Sequence, residues 1–150
     1  MRGVVQSFRA QAEAQAKELL LAIEFAEGVI VSTIERECEA LRAGQMLAAK
    51  ALHVRLRDSA KHYLNITRAA RASIWTIEQL IPGTEYHLRE CRRAFAALLK
   101  IEFAVLAAER AAAANALKFA GAAKRAPRLV VIPSPDTGPR RRRSQMRKAG

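Results

Sequence analysis

The side chains best suited to acid–base or metal chemistry are three histidines, two cysteines and fourteen acids. His53 and His62 are nine residues apart, about two and a half helical turns, so a helix would place them on opposite faces. Cys38 and Cys91 lack the spacing of a zinc pair, and neither HExxH nor CxxC occurs. We therefore expect no metal site and no other cofactor.

Motifs of nucleophilic and phosphate-transfer enzymes are also missing from the sequence. The seven glycines are scattered along the chain, and none forms a phosphate-binding loop. No nucleophile elbow or catalytic pair of carboxylates occurs. The sequence therefore predicts a binding protein and not an enzyme.

The net charge of +12 is concentrated near the C-terminus. Residues 124–150 contain nine Lys or Arg and one acid, a net charge of +8, which leaves +4 for residues 1–123. Four prolines and the run of like charges predict a disordered tail, and the run consists of Arg140, Arg141, Arg142 and Arg143. Such a run could contact phosphates, but without a nucleic-acid-reading module it is more typical of a solvated tail or one that binds an acidic partner.

An apolar cluster interrupts this tail between two prolines, and it consists of Leu129, Val130, Val131 and Ile132. An exposed cluster of this kind could add a strand to a partner or fill a groove. It could equally fold back onto the helical domain as an apolar clasp. The sequence leaves both possibilities open.

Helical periodicity dominates the part of the chain before the tail. Over residues 4–43 one stripe of apolar positions shares a face, namely Leu20, Ile23, Ile30, Ile34, Cys38 and Leu41. Glu27 is the one polar residue on this stripe, whereas Glu37 is expected to point elsewhere. Gly44 should end the helix, because glycine adopts the left-handed conformation of a helix C-terminus at least cost.

Two further helices follow. Residues 45–81 contain neither Gly nor Pro and carry a second apolar stripe. Pro82 and Gly83 should end that helix, with Thr84 as the cap of the next one. The third helix is predicted for residues 85–119, with Gly121 as its stop. Its inward residues are expected to be Leu88, Cys91, Phe95, Leu98, Leu99, Val105 and Leu106.

These features predict an all-α fold, an elongated three-helix antiparallel bundle or coiled coil over residues 1–123, followed by a disordered basic tail over residues 124–150. The two cysteines then lie on different helices, which favours buried free thiols over a disulfide. Trp75 is expected at the edge of the core.

The most apolar window, residues 19–31, is too short and too charged for a bilayer span, and no signal peptide follows Arg2. We therefore expect a cytoplasmic protein without membrane insertion.

Several apolar residues late in the third helix cannot all join one inward stripe. Ile101, Phe103 and Phe119 are spread around the helix axis, so some apolar surface should stay uncovered after the bundle packs. Such surface favours binding to a partner helix or to a second protomer as a homodimer. The predicted contact residues on this helix are Phe103, Leu106, Leu117 and Phe119.

The order of elements resembles the FlgN-type flagellar export chaperones. A long helix ends in Glu-x-Glu-x-Leu-x-x-Gly, an Ala- and Leu-rich helix follows with a basic residue thirteen positions after the glycine, and a third long helix leads to a tail. The similarity covers residues 19–114, and the matching residues are Glu37, Glu39, Leu41, Gly44, Leu52, Leu56 and Arg57.

This resemblance implies a cytoplasmic chaperone that binds hook-associated proteins of the hook–filament junction and delivers them to the type III export gate. The alternative from the residues themselves is a helical scaffold or nucleoid-associated protein. In that case the Arg-rich tail would bind nucleic acid or an acidic partner.

Overall fold

The computed structural model describes residues 1–125, which form three long helices. Helix α1 spans Arg2–Arg42, α2 spans Met46–Leu80 and α3 spans Thr84–Arg125. The chain runs up, down and up, with α1 packed along much of α2 and along part of α3, whereas α2 and α3 touch only briefly. The predicted all-α fold of three antiparallel helices is confirmed for these residues. The tail was predicted to begin at residue 124, but Lys124 and Arg125 belong to α3, and the rest of the predicted tail lies outside the described residues.

The turn between α1 and α2 depends on Gly44, as predicted. Gly44 has a φ of +71°, a conformation that side chains with a Cβ rarely adopt. Its N–H donates to the carbonyl oxygen of Leu41 at 3.1 Å, and the N–H of Gln45 donates to that of Ala40 at 2.8 Å. This pair of bonds is a Schellman motif, which satisfies the last carbonyls of α1 and reverses the chain.

The turn between α2 and α3 is capped by a different residue from the one predicted. The Glu78 carboxylate accepts the N–H of Gly83 and the N–H of Glu85, both at 2.8 Å. Thr84 was expected to cap α3, but its hydroxyl donates back to the carbonyl of Ile81 at 2.8 Å. The Glu85 and Gly83 hydrogen bonds hold the pKa of Glu78 below its usual value.

The core lies along α1, whose predicted stripe is confirmed except that Leu20 is only half-buried. Ile34 and Leu106 are the most completely buried large side chains, at 0% and 1% exposure. One cluster surrounds them near the Gly44 turn, and a second joins Ile23, Ala70 and Leu88 farther along the bundle. The first cluster also contains Phe95, which packs on Tyr63 with ring centroids 5.2 Å apart.

Three predictions about α2 and α3 were wrong. Leu98 and Val105 are 41% and 40% exposed, because the inward face of α3 follows Leu88, Phe95 and Leu106, roughly a quarter-turn away. Trp75 is 70% exposed and lies outside the core. Gly121 does not stop α3, which continues to Arg125, because a helical glycine is unfavourable but does not by itself reverse the chain.

The last part of α3 extends past the other helices. Ala113 is the final residue of α3 that packs against the core cluster, and no side chain is buried from there to Lys124. At 1.5 Å per residue, the extension from residue 113 to 125 is about 18 Å long. Leu117 and Phe119 lie on it, 56% and 76% exposed.

The two cysteines are free thiols, as predicted, with Cys38 buried and Cys91 half-buried. No helix within residues 1–125 has an apolar stretch long enough to cross a bilayer.

Candidate protein-binding groove

A second apolar stripe runs along the exposed side of α3. Its members recur at alternating intervals of four and three residues, and they are Ala94, Leu98, Ile101, Val105, Ala108, Ala112, Asn115 and Phe119. All eight are exposed, Ile101 to 63% and Phe119 to 76%. This outer seam has the heptad spacing that a second helix covers in a coiled coil. Asn115 occupies a position where a polar residue typically specifies helix register.

The outer seam borders a groove between α1 and α3. Its volume is about 300 Å³, and Ala94 and Leu98 line it together with Leu20 and Ile23 of α1. Phe95 lies at its inner side. Two walls from different helices with an apolar floor between them form the kind of site into which an amphipathic helix docks.

The α1 wall of this groove is acidic. Glu24 and Glu27 line it, and Glu35 lies on the same side of α1 because it follows Glu24 by eleven residues, about three turns. Burial raises the pKa of Glu27, although the Tyr63 hydroxyl partly offsets this by donating to it at 3.4 Å. A partner in the groove would therefore be favoured if basic residues flanked its apolar stripe.

The residues predicted to bind a partner do not form one surface. Phe119 belongs to the outer seam, whereas Phe103 lies on the α2 side of α3, two turns before Arg110, which contacts α2. Leu117 follows Arg110 by two turns and is exposed on the extension. The prediction that Leu106 contacts a partner was wrong, because Leu106 is 1% exposed and packs in the core.

The predicted tail contacts lie outside the described residues, and they are Leu129, Val130, Val131, Ile132, Arg140, Arg141, Arg142 and Arg143.

An ion pair that sequence reasoning missed joins all three helices. Glu37 was expected to point away from the core, but it is 2% exposed. The Nε of Arg110 donates to Glu37 Oε1 at 2.9 Å, and its Nη2 donates to Nδ1 of His53 at 2.6 Å. The second oxygen of Glu37 is buried and has no hydrogen-bond partner within the described part of the chain. The available signal was spacing, since Glu37 lies three residues after Ile34 and four before Leu41.

Neither the buried pair nor the remaining histidines form a metal site. Residues 1–125 contain no cluster of three or more His, Cys, Asp or Glu side chains placed to hold an ion. His87 approaches Cys91, with Nε2 and Sγ 3.7 Å apart, at an exposed turn of α3. The outer seam with its groove remains as a candidate binding surface.

Comparison with protein-family models, with curated proteins and with solved structures finds no match to this chain. A functional assignment therefore rests on the geometry of the groove.

Proposed function

We propose that this protein is a helix-binding chaperone that holds an amphipathic helix of another polypeptide in the groove between α1 and α3. The observation that carries the proposal is the outer seam, eight exposed positions at unbroken heptad spacing. A helix laid along the seam would add a fourth member to a bundle that is open on this side.

The outer seam contains large apolar residues that could anchor a partner helix, with small residues between them. Leu98, Ile101, Val105 and Phe119 are still 41%, 63%, 40% and 76% exposed, so a partner that buried them would add a corresponding share of the about 1.5–3 kcal/mol that complete burial of such a side chain contributes. Ala108 and Ala112 between them allow close approach of a second backbone. The acidic wall at Glu24 and Glu35 would select a helix whose apolar stripe has basic flanks.

The resemblance to FlgN-type export chaperones supports a particular client. Terminal helices of flagellar hook-associated proteins would be the bound segments, and an export-gate component would receive the complex. Shielding such a helix before assembly would prevent its apolar face from aggregating.

The test compares Ile101→Asp with a matched control. Ile101 and Leu21 are 63% and 64% exposed, and Leu21 lies on α1 outside the residues that line the groove. We expect wild type and Leu21→Asp to bind synthetic terminal helices of hook-associated proteins in calorimetric titrations, whereas Ile101→Asp loses binding. Equal binding by all three would show that the client helix does not use the seam.

Sedimentation measurements on the same variants decide between a client and a second copy. We expect the wild type to be monomeric at the concentrations used for titration. If it is dimeric, and Ile101→Asp makes it monomeric without changing client binding, the seam is a homodimer interface and the proposal fails.

A further inference from the structure

The outer face of α2 carries a row of cations. Its members recur at intervals of seven, four, seven and three residues, and they are Lys50, Arg57, Lys61, Arg68 and Arg71. These intervals place all five on one side of the helix, and all five are exposed. At 1.5 Å per residue this basic row extends for about 32 Å.

The cations of the basic row are not paired with acids in the described part of the chain. None of its five members takes part in a salt bridge formed within residues 1–125. The acids of α2 are Asp58 and Glu78. Asp58 lines the groove toward α1, and the Glu78 carboxylate is bound to the start of α3. The row is therefore an uncompensated positive surface.

A groove between α2 and α3 continues the row at one end. It has a volume of about 250 Å³ and is lined by Arg71, Arg89 and Arg92. The one acid among its lining residues, Glu85, lies 3.0 Å from Arg89. Neither Arg71 nor Arg92 forms a salt bridge among the described residues, so cations from two helices line one groove that a phosphate could enter.

An aromatic ring lies beside this cluster. Trp75 follows Arg71 by four residues, one turn on the same side of α2, and is 70% exposed. An exposed indole next to a track of cations is the arrangement with which proteins stack a base while holding the backbone of a single strand.

We infer that the basic row and the groove beside it bind the phosphate backbone of a single-stranded nucleic acid, with Trp75 stacked on a base. The basic row lies on α2 and the outer seam on α3, so this second activity does not depend on the helix-binding proposal, although the groove beside the row shares Ile23, Leu88 and Arg92 with the α1–α3 groove.

The composition of the face favours nucleic acid over other polyanionic surfaces. The centres of protein–protein interfaces are depleted in charged residues, whereas interfaces with nucleic acid are strongly positive. A helix that lies on a membrane needs a continuous apolar face toward the lipid. The apolar face of α2 is already packed against α1, and the large exposed apolar residues among the cations of the row are the isolated Val54, Leu64 and Trp75.

Trp75 is the only tryptophan in the chain, so its fluorescence reports on this face directly. We expect a 20-nucleotide oligothymidylate to quench that fluorescence in the full-length protein, with binding that weakens steeply as NaCl rises. Anisotropy of a labelled copy of the oligonucleotide then measures affinity for every variant, and circular dichroism checks that each one folds.

The decisive variant combines four substitutions in the basic row, namely Arg57→Gln, Lys61→Gln, Arg68→Gln and Arg71→Gln. Each single-strand phosphate contact adds about 0.7 to the salt slope, so the loss of four should lower it by about 3. The same relation predicts about a fivefold affinity loss per contact near ~0.1 M salt, several hundredfold in total. Trp75→Leu should weaken binding severalfold and leave the salt slope unchanged.

The matched control removes four exposed cations of α1 and is Arg2→Gln, Arg9→Gln, Lys17→Gln and Arg36→Gln. It carries the same net charge as the first variant and should bind like the wild type. A third variant, with residues 140–143 changed to Gln, measures what the C-terminal arginines add. If the α1 control or the 140–143 variant loses as much affinity as the row variant, binding follows net charge and the inference is wrong.

Two competing ligands complete the test. Poly-glutamate of equal charge and phosphatidylglycerol vesicles should compete weakly with the oligonucleotide. Competition by either at equal or lower charge concentration would assign the row to an acidic protein or to a membrane surface and would overturn the inference. If Trp75→Leu binds the oligonucleotide as tightly as the wild type, Trp75 does not stack on a base, and the inferred preference for single strands is wrong.

Discussion

Removal of the Arg110 side chain should destabilise the protein through Glu37. Glu37 is 2% exposed, and one of its oxygens lies 2.9 and 2.8 Å from two nitrogens of Arg110. In Arg110→Ala the carboxylate would remain in the core with no cation beside it. Breaking a buried ion pair from one side costs about 3–5 kcal/mol. Because the Arg110 side chain is 41% exposed, we expect the lower end of that range.

The assay is urea and thermal unfolding followed by circular dichroism. A loss of about 3 kcal/mol in a chain of this size lowers the midpoint of thermal unfolding by roughly 6–12 °C. The control is Arg89→Ala, which breaks the exposed pair with Glu85 and should cost at most about 1 kcal/mol. The double variant Arg110→Met with Glu37→Leu should be near wild type in stability, because apolar replacement of a whole buried pair is often neutral.

Two results would refute this reasoning. One is an Arg110→Ala variant no less stable than Arg89→Ala, which would mean that solvent compensates Glu37 without Arg110. The other is a double variant as unstable as Arg110→Ala itself. In that case the loss would come from the packing of the Arg110 side chain and not from the charge left behind on Glu37.

Three further outcomes are expected. Gly44→Ala should lower the free energy of unfolding by about 1–2 kcal/mol, measured by urea titration, because an L-residue would be forced to a φ of +71°. Glu78→Gln should lower the urea midpoint at neutral pH. Because the folded state lowers the pKa of Glu78, its advantage is fully present above the unfolded pKa and is lost as pH falls through the folded one, so the midpoints should converge in acid. With a thiol reagent such as dithionitrobenzoate, Cys91 should react in the native protein, whereas Cys38 should react only on unfolding. Cys38 is 4% exposed and burial raises its pKa, so equal native rates would contradict its placement in the core.

The turns show how far local sequence information reaches. Gly44 could be placed correctly because the left-handed conformation at a helix end depends on one residue and its neighbours. The residue that caps α3 could not be predicted in this way, because Glu78 precedes the turn by several residues and its side chain reaches across it. Thr84 has a side chain that often caps helices, but its hydroxyl donates to the carbonyl of Ile81 instead.

The apolar residues of α3 show a different limit. Leu98 and Val105 were assigned to the core because their spacing is helical and their side chains are large. Leu106 was assigned both to the core and to the binding surface. The helix carries two seams of nearly the same period, and periodicity alone does not say which of them faces α1.

The amino-acid sequence by itself determined the class of the fold, the number of helices and the reversal at Gly44, since these follow from helical periodicity and from the backbone freedom of glycine. The tertiary structure decided which seam of α3 is buried, that Glu37 meets Arg110, and that the five cations of the basic row form no salt bridge within residues 1–125. The physical reason is that these features depend on the rotation of each helix about its axis. That rotation is set by packing among all three helices and not by the residues of any one of them.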